Sequence, residues 1–186
     1  MRDHGVVEPT SRAPVVRAMN SAGISRPIKP GMSIEEMRAG DKASLVSIED
    51  MRGVFETNVF GVVAVTQAML PLLRKAPAGR IVNISSAGGS MTLKDNPSEF
   101  SRSYVGVYQS SKTALNAVTQ AFAIELEGTN VKINAACPGF TATAITNFAA
   151  GAGSVEDAAR EPVRLALLDE DGPTGTFSNA AGSLPW

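Results

Sequence analysis

Apolar positions along this chain follow two rhythms in alternation. Short continuous runs suit buried strands, and longer stretches with three- and four-residue steps suit helices with one buried stripe. Residues 1–14, with Pro9 and Pro14, show neither rhythm and are expected to be irregular. Val15 to Met19 is the first apolar run and stops at Asn20-Ser21-Ala22-Gly23, which predicts a strand followed by a turn. Residues 24–46 carry Pro27, Pro30, Gly31 and Gly40 among charges and predict a long loop, with one helical turn around Ile34–Arg38. Ser47 is a candidate helix N-cap, with Glu49 and Asp50 placed to meet the positive end of the dipole. Met51, Phe55, Val59, Val62, Thr66, Met69 and Leu73 then form one stripe over about seven turns.

Gly79-Arg80 ends that connection, and Ile81 to Ile84 reads as a buried strand closing at Ser85-Ser86. Gly88 to Arg102 is a second polar loop. The next helix is expected from about Ser103 to Glu127, with Val107, Ala114, Leu115, Val118, Ala121, Phe122 and Leu126 on its apolar faces and Gly128 as its C-terminal cap. Val131 to Ala136 is another strand, closed by Pro138-Gly139, and residues 141–153 are a Thr/Ala/Gly-rich loop. A helix over Val155–Leu168, interrupted by Pro162, and a short strand over Gly175–Ser178 complete the chain. Strands alternating with long helices predict right-handed crossovers and a mostly parallel sheet covered on both faces, a three-layer α/β fold. No linker divides residues 1–186, so a single domain is expected.

Composition narrows the partners. Seventeen basic against eighteen acidic residues argue against a nucleic-acid or anionic-membrane surface, which needs a clustered basic excess. No run of 18 apolar residues offers a membrane span, and Met1 to Thr10 has no apolar signal-peptide core. The single cysteine, Cys137, has no internal disulfide partner and fits a reducing compartment, so a cytoplasmic location is expected.

In open parallel sheets the ligand crevice lies beyond the carboxyl ends of the strands. Asn20-Ser21-Ala22-Gly23, Ser85-Ser86 and Pro138-Gly139 all fall at such ends. Asn58 lies inside the first long helix, and Tyr108 and Lys112 stand four residues apart in the second. That spacing stacks both side chains on one helix face. An ammonium near a phenol favours the phenolate and lowers its pKa from about 10, making the tyrosine a candidate acid or base for an alcohol or carbonyl oxygen. The pair alone also fits an exposed tyrosine lying along a lysine stem. The only other tyrosine, Tyr104, has no lysine four residues on.

Five segments taken in order carry more. Asn20-Ser21-Ala22-Gly23-Ile24, Phe55-Glu56-Thr57-Asn58-Val59-Phe60-Gly61, Gly79-Arg80-Ile81-Val82-Asn83-Ile84-Ser85-Ser86, Tyr108-Gln109-Ser110-Ser111-Lys112 and Asn134 to Thr143 resemble successive signatures of the short-chain dehydrogenase/reductase family. The resemblance spans about residues 15–180, and Asp171 to Phe177 is similar to the carbonyl-reductase-like branch. It implies a Rossmann-type domain that moves hydride between NADP or NAD, with NADP slightly favoured, and a small carbonyl or secondary alcohol. It further implies Tyr108 as catalytic acid/base, with Lys112 lowering its pKa and binding the nicotinamide ribose. Ser86 would orient the substrate and Asn58 would hold a relay water. Pro138, Gly139 and Thr143 would line the nicotinamide, and Asn20, Ala22 and Gly23 would support the sheet beside the adenosine.

The chain departs from the family in one large respect. The family opens with a strand, a Thr-Gly-x-x-x-Gly-x-Gly loop and a helix that binds pyrophosphate at its N-terminus. Neither that motif nor Gly-x-Gly-x-x-Gly occurs in the 186 residues. The expectation is therefore a domain lacking its first strands and phosphate loop. Its alternative reading is a non-catalytic fragment or binding protein. Longer spacings than the family's usual ones, 38 positions from Asn20 to Asn58 and 22 from Ser86 to Tyr108, fall at the expected substrate mouth and bear on whether the chain forms a homo-oligomer.

Overall fold

The structure, a computed structural model, describes residues 16–25, 42–96 and 106–186. The irregular leader, the turn around Ile34–Arg38, and Ser103, Tyr104 and His4 lie outside the described residues.

The sheet has the order β1-β2-β3-β4-β5. Strand β1 spans Arg17–Asn20, β2 Gly79–Ile84, β3 Val131–Ala136, β4 Phe177–Asn179 and β5 Gly182–Ser183. The first four run parallel, and β5 pairs antiparallel with β4. Strand β5 was not expected, and the fourth strand begins two residues later than the apolar pattern suggested. Beyond β4 the Asn179 side chain accepts the Ala181 N–H at 2.9 Å and Gly182 takes φ 134°, so a tight turn folds the chain back.

Helix α1 covers Ile48–Phe55, a π-helical turn covers Glu56–Phe60, and α2 continues over Gly61–Lys75. Ser47 caps α1 by accepting the Asp50 N–H at 3.0 Å. The π turn holds one more residue than an α turn, so the buried stripe slips in phase across it. Val54, Asn58, Val59, Val62, Thr66, Leu70 and Leu73 are the buried residues, whereas Met51 and Phe55 are only half-buried. By length and composition the Ile48–Lys75 rod is apolar enough to cross a bilayer; Leu70 and Leu73 pack on the sheet, while most of its apolar window is not buried.

Helix α3 covers Val107–Glu125, and Gly128 stands just past it at φ 72°. Ala121, expected on the apolar face, is exposed, while Ser111, Lys112, Asn116 and Thr119 are buried. Helix α4 covers Val155–Ala166 and passes through Pro162 without a break, so the expected interruption does not occur. A proline costs a helix one backbone bond and a clash with the carbonyl four residues back. Ser154 offsets part of this by accepting the Asp157 N–H at 3.0 Å at the start of the same helix.

One core lies between the sheet and helices α2 and α3, built on Leu70, Leu73, Ile81, Phe122, Leu126 and Ile133. The opposite face packs Val82 and Ala136 against Leu165 and Ala166 of α4. The fold is thus the expected three-layer α/β arrangement, a mixed sheet with helices on both faces. Gly79 starts β2 where a Cβ would sit 2.7 Å from the Leu73 carbonyl oxygen, which lets α2 run directly into the strand.

Candidate active site

The carboxyl ends of β1, β2 and β3 meet the first turns of α3. A buried polar interlock fixes the two sides. Asn20 Nδ2 donates to Asn83 Oδ1 at 2.8 Å and to Thr66 Oγ1 at 3.2 Å, and Asn83 Nδ2 donates to Thr119 Oγ1 at 2.9 Å. These bonds join β1, β2, α2 and α3 through side chains nearly excluded from water, where an unmade bond would cost about 1–3 kcal/mol. The Asn20 amide is therefore committed to sheet support.

Asn58 is completely buried in the π turn. Its Oδ1 accepts the Ile24 N–H at 2.8 Å, and its Nδ2 donates to the Ile24 carbonyl at 2.8 Å and to Ser111 Oγ at 2.9 Å. The Ser111 hydroxyl in turn donates to the Tyr108 carbonyl at 2.6 Å. Its side chain thus clamps the loop after β1 to the first turn of α3.

Tyr108 and Lys112 share one face of α3, with the lysine nitrogen 5.5 Å from the ring centroid. Lys112 is buried, and its Nζ donates to the Ile84 carbonyl at 2.7 Å, two residues before Ser86. A Cβ on Gly23 would lie 3.6 Å from both Lys112 Nζ and Asn58 Oδ1, so the turn after β1 closes over the same point. Ala22 beside it is exposed. Ser86 is half-buried, and its Oγ accepts the Gly88 N–H at 3.2 Å. Ser85 is buried, and its hydroxyl donates to Asn116 Oδ1 at 2.5 Å. Pro138 and Gly139 follow β3, with Gly139 at φ 79° and open space on its Cβ side. Thr143 opens a short 3₁₀ turn, and its N–H donates to Thr146 Oγ1 at 3.1 Å. The structure thus brings together Gly23, Asn58, Tyr108 and Lys112 and places Ser86, Pro138 and Gly139 just beyond neighbouring strand ends, with Thr143 further along the loop after β3.

Burial pushes the Tyr108 phenol up to about 12, and Cys137 adds to that push. Burial likewise pulls the Lys112 ammonium down to about 8, with Cys137 acting in the other direction. Lys112 lies over the ring and spends a donor on Ile84, and burial is the main cause of both shifts.

Several participants escaped the sequence reading: Ser111, the backbone of Ile24, the Ile84 carbonyl, and Cys137, whose Sγ accepts the Ala87 N–H at 3.2 Å. Ser111 could have been found, because it stands one residue before Lys112 and faces the same way as Tyr108 within one turn. The backbone groups carry no sequence signal.

These residues suit one end of a dinucleotide. Among the described residues Ile84 is the one acceptor for the three N–H donors of Lys112, which leaves donor capacity of the kind a ribose diol uses. No described segment offers the backbone cradle that a pyrophosphate requires.

The profile of the short chain dehydrogenase family matches residues 19–151, and the chain belongs to that family. It is 39% identical over 155 residues to the short-chain dehydrogenase anuI of Penicillium roqueforti, covering 80% of this chain and 55% of that protein. It is 35% identical to (-)-isopiperitenone reductase of Mentha piperita, covering 77% of this chain and 56% of the relative. The chain thus spans about half the length of the curated relatives it matches. Among solved structures, NADPH-bound carbonyl reductase from chicken fatty liver superposes with a TM-score of 0.67 at 26% identity, over 90% of this chain and 64% of that one. The carbonyl reductase Sniffer of D. melanogaster, with a TM-score of 0.69 at 24% identity over 91% of this chain and 66% of that one, shows the same fold.

Proposed function

We propose that this chain carries the catalytic part of an NAD(P)-dependent oxidoreductase acting on a small carbonyl or secondary alcohol, with Tyr108 as the general acid/base. The observation that carries this reading is the convergence of Tyr108, Lys112, Asn58 and Gly23 on one point beyond the strand ends. A bound nicotinamide would supply the hydride, since the protein's own side chains have no two-electron redox group suited to it. Lys112 would hold the ribose hydroxyls, and Pro138, Gly139 and Thr143 would line the ring. Ser86 would hold the substrate oxygen by hydrogen bonding. Tyr108 would give that oxygen its proton. A phenol kept protonated by burial suits the reductive direction, in which it acts as the acid. Relatives named as reductases support the same direction, and an NADPH-bound carbonyl reductase among the similar structures supports a nicotinamide cofactor. With its amide occupied, Asn58 would serve a proton relay only through the backbone of the π turn, a type of irregularity common at functional sites.

Tyr108→Phe should abolish turnover while cofactor binding, followed by nicotinamide fluorescence, persists. Retained turnover would sink the acid/base assignment. A second reading, a chain that keeps these motifs without effective cofactor affinity, rests on the absence of a Thr-Gly-x-x-x-Gly-x-Gly segment from the 186 residues. Titration with NADPH and NADH separates the two, and no saturable binding up to millimolar cofactor would favour the second.

A further inference from the structure

We infer that Trp186 is a positioning residue for Ser86, through a strap that the Leu184–Trp186 segment lays across the turn after β2. The inference rests on the reading of Ser86 as the residue that orients the substrate oxygen. Ser86 opens a 3₁₀ turn over Ala87–Gly89, and Ser90 and Thr92 follow it directly. The Trp186 backbone oxygen accepts from both of these: from Ser90 Oγ at 3.2 Å and from the Thr92 N–H at 3.1 Å. Ser90 is fully buried, and its hydroxyl also accepts the Leu93 N–H at 3.1 Å. One short segment therefore satisfies the loop that leaves the serine.

Its own anchorage is apolar. The Trp186 ring stacks on Phe177 of β4 with centroids 5.4 Å apart and planes 23° apart. The Leu184 N–H donates to the Phe177 carbonyl at 2.8 Å. Leu184, Trp186 and Ala87 pack together around Ala135, Cys137 and Phe177. Ala87, the residue after Ser86, is thus held from two sides. Its N–H donates to Cys137 Sγ, and its side chain lies in the cluster that Trp186 closes. Among the described residues the Ser86 Oγ is tied to the nearby Gly88 N–H alone, so its position follows that of the turn. A displacement of about 1 Å in a substrate-orienting group can cost up to roughly a hundredfold in rate.

The test compares Trp186→Ala, Trp186→Phe and Ser90→Ala with the parent chain by residue-resolved amide hydrogen exchange and by steady-state kinetics. Trp186→Ala should accelerate exchange at Gly89, Ser90 and Thr92 by about tenfold or more and leave the amides of α3 from Ser111 to Thr119 unchanged. It should lower kcat by roughly tenfold while cofactor affinity holds. Trp186→Phe, which keeps a ring on Phe177, should restore both readouts. Ser90→Ala, a gentler break in the same link, should accelerate exchange at Leu93, and its effect on kcat should not add to that of Trp186→Ala. Unchanged exchange at Ser90 and Thr92 in Trp186→Ala would overturn the inference. So would a loss of kcat that comes with equal loss of cofactor affinity and faster exchange throughout α3, since that marks general loosening. Exchange needs no substrate. If the parent chain shows no turnover, acceleration confined to residues 87–93 supports the strap, and the failure belongs to the oxidoreductase reading.

Discussion

Lys112 gives the most direct quantitative test of how the site is built. Its nitrogen is buried, with the Ile84 carbonyl 2.7 Å away and no carboxylate bonded to it among the described residues. Burial lowers its pKa from an ordinary 10.5 to about 8. The folded state thus prefers the neutral amine, while the unfolded chain binds the proton up to its ordinary value. Between those limits the unfolded state holds more protons, so stability rises with pH from about 8 to 10.5 and is lost as pH falls back through the folded pKa. At about 1.4 kcal/mol per pH unit, the full effect is about 3 kcal/mol, and most of it falls between pH 8 and 10. Tyr108 works oppositely. Its raised pKa contributes stability that is complete below about 10 and is lost from there toward 12, so the measurement should stop at pH 10. The assay is urea unfolding of the parent and of Lys112→Met at half-unit steps from pH 7 to 10. The parent should gain about 2–3 kcal/mol relative to the variant across that range. Parallel stability curves would refute the claim that the ammonium is held in a desolvated site.

Other perturbations read other parts of the scaffold. Asn58→Ala removes the acceptor for the Ile24 N–H and the donors to Ile24 and Ser111, and should cost about 3 kcal/mol or more in denaturant unfolding. A loss below about 1 kcal/mol would mean that water replaces the clamp. Gly89→Ala would place a Cβ 2.8 Å from the Lys112 carbonyl carbon, so the Ser86 turn must move off α3; a stability loss of about 1–3 kcal/mol and reduced turnover are expected. Ser47→Ala deletes the α1 cap and should cost about 1 kcal/mol while turnover remains unchanged.

The layer order was legible because apolar runs and stripes report burial directly. Ile81, Val82 and Ile133 are buried as their runs predicted, and Val62, Thr66 and Leu73 lie on the expected stripe. The prediction slipped where backbone geometry changed without a sequence cue. Extrapolating the stripe back from Val59 through ordinary helix led to Phe55, whereas the π turn rotates the register and buries Val54. Polar side chains gave no burial signal. Ser111, Asn116 and Thr119 lie outside the apolar pattern, yet each is buried and meets a partner supplied by a distant element. At the site, motif order pointed to Tyr108, Lys112, Asn58 and Ser86 together, but it could not reveal the ionisation of the pair. That depends on how much water the folded chain removes from Lys112, and spacing alone says nothing of it.

The same burial explains why the site tolerates so many polar groups at its centre. Ser111 ties Asn58 to the Tyr108 carbonyl, and Lys112 ties α3 to the end of β2. The backbone that carries the candidate acid is therefore fixed through buried side chains hydrogen-bonded to other elements. Such a network is costly only where a donor is left without an acceptor. Among the described residues Asn116 Nδ2 is one such buried donor, and Lys112 brings three donors to one acceptor, with burial holding its pKa down. Any ligand that offers two hydroxyl oxygens there would remove the shortfall, raise the lysine's pKa and gain affinity from a penalty already present in the fold. Its binding should therefore take up protons near pH 8 and weaken as pH rises above that value. Calorimetric titration of NADPH in buffers of differing ionisation enthalpy measures this uptake, and pH-independent binding with no proton taken up would show that the lysine is not the group that holds the ribose.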